Sequence, residues 1–213
     1  MATRLNFLLV HKSHFDVPLL LLQAEDGYPR LERSVLDALE TETQSLATAP
    51  SIKGAVIMGS DRAFAVGAEI SELAALDRSA GFEFARRGQR AMNAVAHSRK
   101  RIVAAIRGFC FGGGLDLALA CHARLCSDDA IFAHPGGALG IITGWGGTQR
   151  LPRLIGASRA VEMFITGRRL NASEALAYGL VDRIVPASRL WSDAIKEARS
   201  ATSGPAENLP SPD

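Results

Sequence analysis

Long apolar runs are missing from this 213-residue chain. Nothing approaches the ~20 residues that cross a bilayer, and the segment Leu5 to Val10 behind Arg4 is shorter than a secretory leader core, so the expectation is a cytoplasmic protein with no membrane partner. Cysteine is scarce as well. Cys110, Cys121 and Cys126 are odd in number and without C-x-x-C spacing, which excludes a disulfide framework and suits reduced, buried thiols. The five histidines are dispersed with no H-x-x-x-H spacing, so no protein-built metal site is expected. Charge of one sign is also lacking. A formal charge of +2 gives no field for steering nucleic acid, and Arg99-Lys100-Arg101 reads as a solvated helix end. No internal repeat stands out, and the one low-complexity stretch is the proline-rich end from Ser200.

With 47% hydrophobic and 22% charged residues, the composition is that of a globular chain long enough for one good core. Residues 17–23, 52–58, 101–108 and 130–136 are short apolar runs between polar or glycine punctuation, as expected of strands buried on both faces. Helical spacing is expected over 32–47, "LDLALACHARL", 156–167, 172–179 and 188–198, with Asn171 or Ser173 as a cap. "LVDRIVP" reads as a last short strand. The alternation predicts an α/β fold, with a core domain over residues 1–190 and a short helix and disordered tail over 191–213.

Two glycine-bearing turns carry the chemistry. "GFCFGGGLDLALAC" sets Gly112, Gly113 and Gly114 between a strand and a helix, with Asp116 following among apolar neighbours. Such a turn brings backbone close to a ligand and presents N–H donors at a helix start, though tight packing alone also selects it. "AFAVGAEI" places Val66, Gly67 and Ala68 in a second turn of the same kind. One N–H from each turn on a shared oxygen would make an oxyanion hole, and Asp116 could then reach the carbon beside that carbonyl. The alternative for Asp116 is a plain favourable charge in the first turn of a helix.

In this order and spacing, "RAFAVGAEISEL", "RIVAAIRGFCFGGGLDLALAC" and "LGIITGWGGTQRLPRLIGASRAVEMFITGRRLNASEALAYGLVDRIVP" resemble the crotonase family, also called the enoyl-CoA hydratase/isomerase family. The resemblance spans about residues 17 to 190. It implies a crotonase-like spiral of repeated β-β-α units with peripheral helices, an acyl-CoA thioester as ligand, and homotrimers or dimers of trimers. Coenzyme A would enter as part of the substrate, with no separate cofactor. By position, Ala68 and Gly113 would bind the thioester oxygen and Asp116 would move the α-proton.

The same resemblance exposes departures. Family hydratases use two glutamates; here Asp116 stands at the first position and Gly136 at the second, in "FAHPGGALG". One carboxylate suits double-bond isomerisation or another enolate reaction better than water addition. Glycine at the second position is also a feature of dihydroxynaphthoyl-CoA synthases, which admit bicarbonate there. A catalytically degenerate acyl-CoA-binding protein is a further alternative. His134 offers an imidazole beside Gly136, or else a strand-end histidine bonded to backbone. Trp145 would wall the acyl pocket, or pack. Arg30 and Arg33 are the cations placed to meet phosphates, in a segment that departs from the family pattern. The family's further C-terminal helical portion has no counterpart before the proline-rich end, which leaves the pocket open or covered by a neighbour.

Overall fold

In the computed structural model, which describes residues 6–11 and 16–200, a β-β-α unit recurs four times. Strands β1 (Asn6–His11) and β2 (Leu19–Ala24) lead into helix α1 (Arg33–Thr48). Strands β3 (Gly54–Met58) and β4 (Ala63–Ala65) lead into α2 (Ile70–Ala74) and α3 (Arg78–Ala96). Next come β5 (Arg101–Ile106), β6 (Phe109–Phe111) and α4 (Gly113–Ala120). Strands β7 (Ala123–Cys126) and β8 (Ile131–Ala133) lead through a 3-10 turn over Pro135–Leu139 into α5 (Gly147–Ile155). The chain continues through α6 (Ala157–Thr166), β9 (Leu170–Asn171), α7 (Ala172–Ala177), β10 (Arg183–Ile184) and α8 (Leu190–Ala198).

In the second to fourth units the first strand joins one sheet and the second joins another, whereas β1 and β2 of the first unit pair antiparallel in the same sheet. The six-stranded sheet runs β1-β2-β3-β5-β7-β10 and the four-stranded sheet runs β4-β6-β8-β9, so each of the second to fourth turns of the spiral adds a strand to both. β2, β3, β5 and β7 pair in parallel and both faces of their sheet are covered. Side chains alternate between faces with a period of two, and both sets are apolar. Ala55, Ile57, Ile102, Ala104 and Ile106 enter the main core, while Val56, Val103 and Ala105 face the opposite side. There α8 covers them with Leu190, Ala194, Ile195 and Ala198. Burying one such aliphatic side chain contributes about 1.5–3 kcal/mol.

Several expectations shift in detail. Strand 130–136 ends at Ala133, because Pro135 begins the 3-10 turn. "LDLALACHARL" is not one helix: α4 stops at Ala120, and Ala123 to Cys126 form β7 against β5. Pairing to the sheet interior satisfies that backbone better than another helical turn would. Asn171 caps α7 in a full capping box with Glu174. The expected disordered tail lies, beyond Ser200, outside the described residues. Among the described residues, no helix is long and apolar enough to cross a membrane.

Candidate active site

The two glycine bends meet. Val66 N–H donates to Pro29 O (2.9 Å) and Leu31 N–H donates to Gly67 O (2.9 Å), which pins the first bend to the segment ahead of α1. Gly67 has φ 96° and Gly112 has φ 52°, conformations that L side chains rarely adopt. A Cβ built on Gly67 would sit 3.1 Å from Gly113 N, so the first bend lies directly against the amide that opens α4. The first helical bond runs from Asp116 N–H to Gly112 O (3.0 Å). The Gly113 N–H therefore has no acceptor within its helix.

Val66, Gly67, Ala68, Gly112, Gly113, His134, Gly136, Thr143 and Trp145 all line one cavity of about 290 Å³. Leu73, Phe84, Ile142 and Phe164 give it an apolar remainder. Every residue expected at the substrate wall is thus brought to a single cavity. Trp145 both walls it and packs: its indole is 4% exposed, 5.2 Å from the Phe84 ring, and wedged against Gly88 and Gly113.

Asp116 stands one layer behind this wall, with no solvent exposure. Thr143, which does line the cavity, donates its hydroxyl to Asp116 Oδ2. Asp116 itself is not among the residues that line the cavity. Its depth has a local cause: α4 aims it at the loop before α5, and Gly147 leaves the room, since a Cβ there would be 2.1 Å from Oδ1. Burial pushes the Asp116 carboxyl up to about 7, against the opposing pull of the Thr143 hydrogen bond, the Arg150 charge and the Trp145 N–H. His134 is 4% exposed, and burial lowers it to about 4. Its Nε2 lies 3.4 Å from Asp116 Oδ1. At neutral pH the contact is thus not an ion pair between a carboxylate and an imidazolium.

A sequence model described as enoyl-CoA hydratase/isomerase matches residues 30–209. The chain belongs to this family. Among solved structures it resembles an enoyl-CoA hydratase from Bacillus anthracis, at 33% identity and TM-score 0.84, covering 90% of this chain and 74% of that one. It also resembles Pseudomonas aeruginosa DspI, at 31% identity and TM-score 0.85, covering 93% and 76%. An enoyl-CoA hydratase from Thermoplasma volcanium aligns at 27% identity and TM-score 0.84, covering 91% and 78%.

Gly136 is the residue that the resemblance of the sequence to the enoyl-CoA hydratase/isomerase family sets at the second carboxylate position. A Cβ there would lie 2.9 Å from Ile141 O and 3.2 Å from Ile141 Cγ1, so the loop after the 3-10 turn has settled into the space of a side chain. Arg30 is held by Asp26 (3.1 Å) and Glu69 (2.9 Å), and Arg33 by Glu72 (2.6 Å). Both expected phosphate cations are engaged by carboxylates. Thr143 and Arg150 went unnoticed in the sequence. Arg150 is 2% exposed, donates to Trp145 O (3.2 Å) and Asn93 Oδ1 (2.9 Å), and brings a buried positive charge toward Asp116. No local signal marks either residue: a threonine in a glycine-rich loop and an arginine on an amphipathic helix are both ordinary. Among the described residues, no group of three or more His, Cys, Asp or Glu is gathered as a metal site would require.

Proposed function

We propose that this protein acts on acyl-CoA thioesters through an enolate, as an isomerase or lyase of its family. The observation that carries the reading is the abutment of the Gly67 bend on the Gly113 amide, at the wall of a cavity backed by one buried carboxyl. In this reading the N–H groups of Ala68 and Gly113 hold the thioester oxygen, and each such donor contributes ~3 kcal/mol to the transition state. Asp116 supplies the single carboxyl of the proton-transfer machinery. With no acid at Gly136, moving a proton between carbons is favoured over adding water. The apolar end of the cavity would take the acyl chain. Coenzyme A enters with the substrate, and the chemistry calls for no other cofactor or metal.

The homotrimer or dimer of trimers that the resemblance implies would give the exposed Val161 and Ile165 on α6 an apolar face to bury, and sedimentation at several concentrations would test it. Three buried free thiols suit a reducing, cytoplasmic setting. The decisive experiment follows α-proton exchange of saturated and unsaturated acyl-CoA esters in deuterated water. Exchange that Asp116→Asn abolishes supports the reading, and the absence of exchange with any ester refutes it. The full burial of Asp116 favours one second reading, a fold that binds acyl-CoA without turnover. Calorimetric binding with no exchange would identify that case.

A further inference from the structure

Asp116 and His134 face each other with two atoms that nothing else satisfies. Asp116 Oδ1 and His134 Nε2 are 3.4 Å apart, the two side chains are 0% and 4% exposed, and neither atom has another hydrogen-bond partner. Buried polar atoms without partners are rare because each loses its water for nothing. Two of them confronting each other point to one proton held in common.

The remaining surroundings fit. Asp116 is faced by Thr143 and the Trp145 N–H from the loop, by Arg150 from α5 and by Cys110 from β6; burial raises that thiol well above its ordinary value. His134 is faced by Asp116 and by the Phe164 ring at 5.0 Å. Of the pair, His134 lines the cavity, while Asp116 is sealed behind Thr143.

We infer that Asp116 and His134 work as one proton-sharing pair, in which the His134 imidazole is the catalytic base at the cavity and Asp116 is a positioning residue behind it. This rests on the enolate chemistry proposed above and changes which side chain meets the substrate. In the resting pair, Nε2–H donates to the Asp116 carboxylate, which fixes the tautomer and leaves Nδ1 with its lone pair as the basic atom. The substrate Cα–H bond breaks and its proton goes to Nδ1. Its electron pair moves to the thioester oxygen as the enolate. The imidazolium so formed is stabilised by Asp116, which takes up the Nε2 proton. Return of one proton to the α- or γ-carbon restores the pair. Because Asp116 must be ionised to receive that proton, exchange rises with pH through about 7.

Two measurements separate this inference from the function on which it rests. The first needs no substrate: the ring nitrogens of His134 are followed by NMR between pH 5 and 9. A neutral ring with an inflection near 7 that disappears in Asp116→Asn is expected, because the ring senses the proton on its partner. An unbroken titration in the intact protein, or an inflection that survives Asp116→Asn, overturns the pair. The second is α-proton exchange in deuterated water. His134→Gln is expected to slow it ~10²-fold or more, with thioester binding by calorimetry and the melting temperature little changed. Exchange within threefold of the unmodified protein overturns the role of His134. His134→Asn, a second variant, covers the case in which the glutamine side chain does not fit. If the unmodified protein exchanges no ester at all, the catalytic assignment falls with the proposed function, and the NMR experiment alone decides the pair.

Discussion

The Trp145 indole lies so close to Gly113 that a Cβ built on the glycine would be 2.2 Å from a ring carbon. One residue is thus asked both to present its amide to the cavity and to leave room for the side chain that walls it. Gly113→Ala should lower stability by about 1–3 kcal/mol, the ordinary cost of overpacking, and should abolish exchange. A Cβ built on Gly88 of α3 would meet the other edge of the same ring at 2.1 Å. Gly88→Ala should destabilise comparably yet retain much more exchange. Melting curves and exchange rates on the two variants test this, and equal loss of activity in both would mean that the Trp145 position, not the Gly113 amide, governs the chemistry.

Stability should depend on pH in two opposed ways. Asp116 has a folded value of about 7 against an ordinary 3.8, so between these the folded state holds more protons than the unfolded one. Stability is therefore lost as pH rises through that window, and the cost is complete above about 7. His134 runs the other way. Its value falls from 6.5 to about 4, so its contribution is present above 6.5 and is lost as pH falls toward 4. Asp116→Asn should stabilise the protein at pH 8 by roughly 1–4 kcal/mol, with less gain at pH 5. His134→Gln should lessen sensitivity to acid. Urea titrations at the two pH values check both, and an Asp116→Asn protein less stable than its parent at pH 8 would contradict the assignment.

Both glycine bends were legible in the sequence because a turn that needs positive φ or close backbone approach leaves glycine as its mark. Asn171 was legible for a similar reason, since capping is local chemistry. The depth of Asp116 was not, because Thr143 and Gly147 set it from some thirty residues along the chain. The apolar stripe of helix α3 is interrupted at Gly88. Its buried face is built from Phe84, Gly88, Ala91, Met92 and Val95, with glycine where Trp145 needs space, so the partner supplies the volume that periodicity would have shown. β7 was hidden for another reason. "ARLC" continues the apolar run of α4, and only its parallel pairing with β5 distinguishes strand from helix.

Water addition to an enoyl-CoA should lag behind α-proton exchange. Hydration needs a group to activate water as well as one to deliver the α-proton, and Gly136 has nothing to titrate. General acid–base assistance is worth ~10²–10⁴-fold per group, and hydration should trail exchange by a ratio of that order. Gly136→Glu should not simply restore it, because the Ile141 carbonyl lies 2.9 Å from the new Cβ and the loop must move first. Parallel assays of hydration and exchange on one ester provide the test. Hydration as fast as exchange would require a second proton-active group at the cavity.

Arg150 tunes the carboxyl from behind. Its guanidinium is buried, anchored on Trp145 O and Asn93 Oδ1, and its charge pulls the Asp116 value down against the burial that raises it. Arg150→Met keeps much of the side chain's length and removes the charge. Asp116 should then ionise at higher pH, so the exchange profile should move to the alkaline side of about 7, with the plateau rate far less affected than the midpoint. Loss of the two anchors should also cost stability, about 3–5 kcal/mol if the carboxylate is left uncompensated. That penalty should shrink below the raised midpoint, where Asp116 is neutral. Arg150→Lys restores a charge without the two-sided anchor, so recovery of the midpoint in the lysine variant but not in the methionine one would separate the electrostatic role from the packing role. A profile unmoved in both would place the control of Asp116 elsewhere, in its burial and the Thr143 hydrogen bond alone.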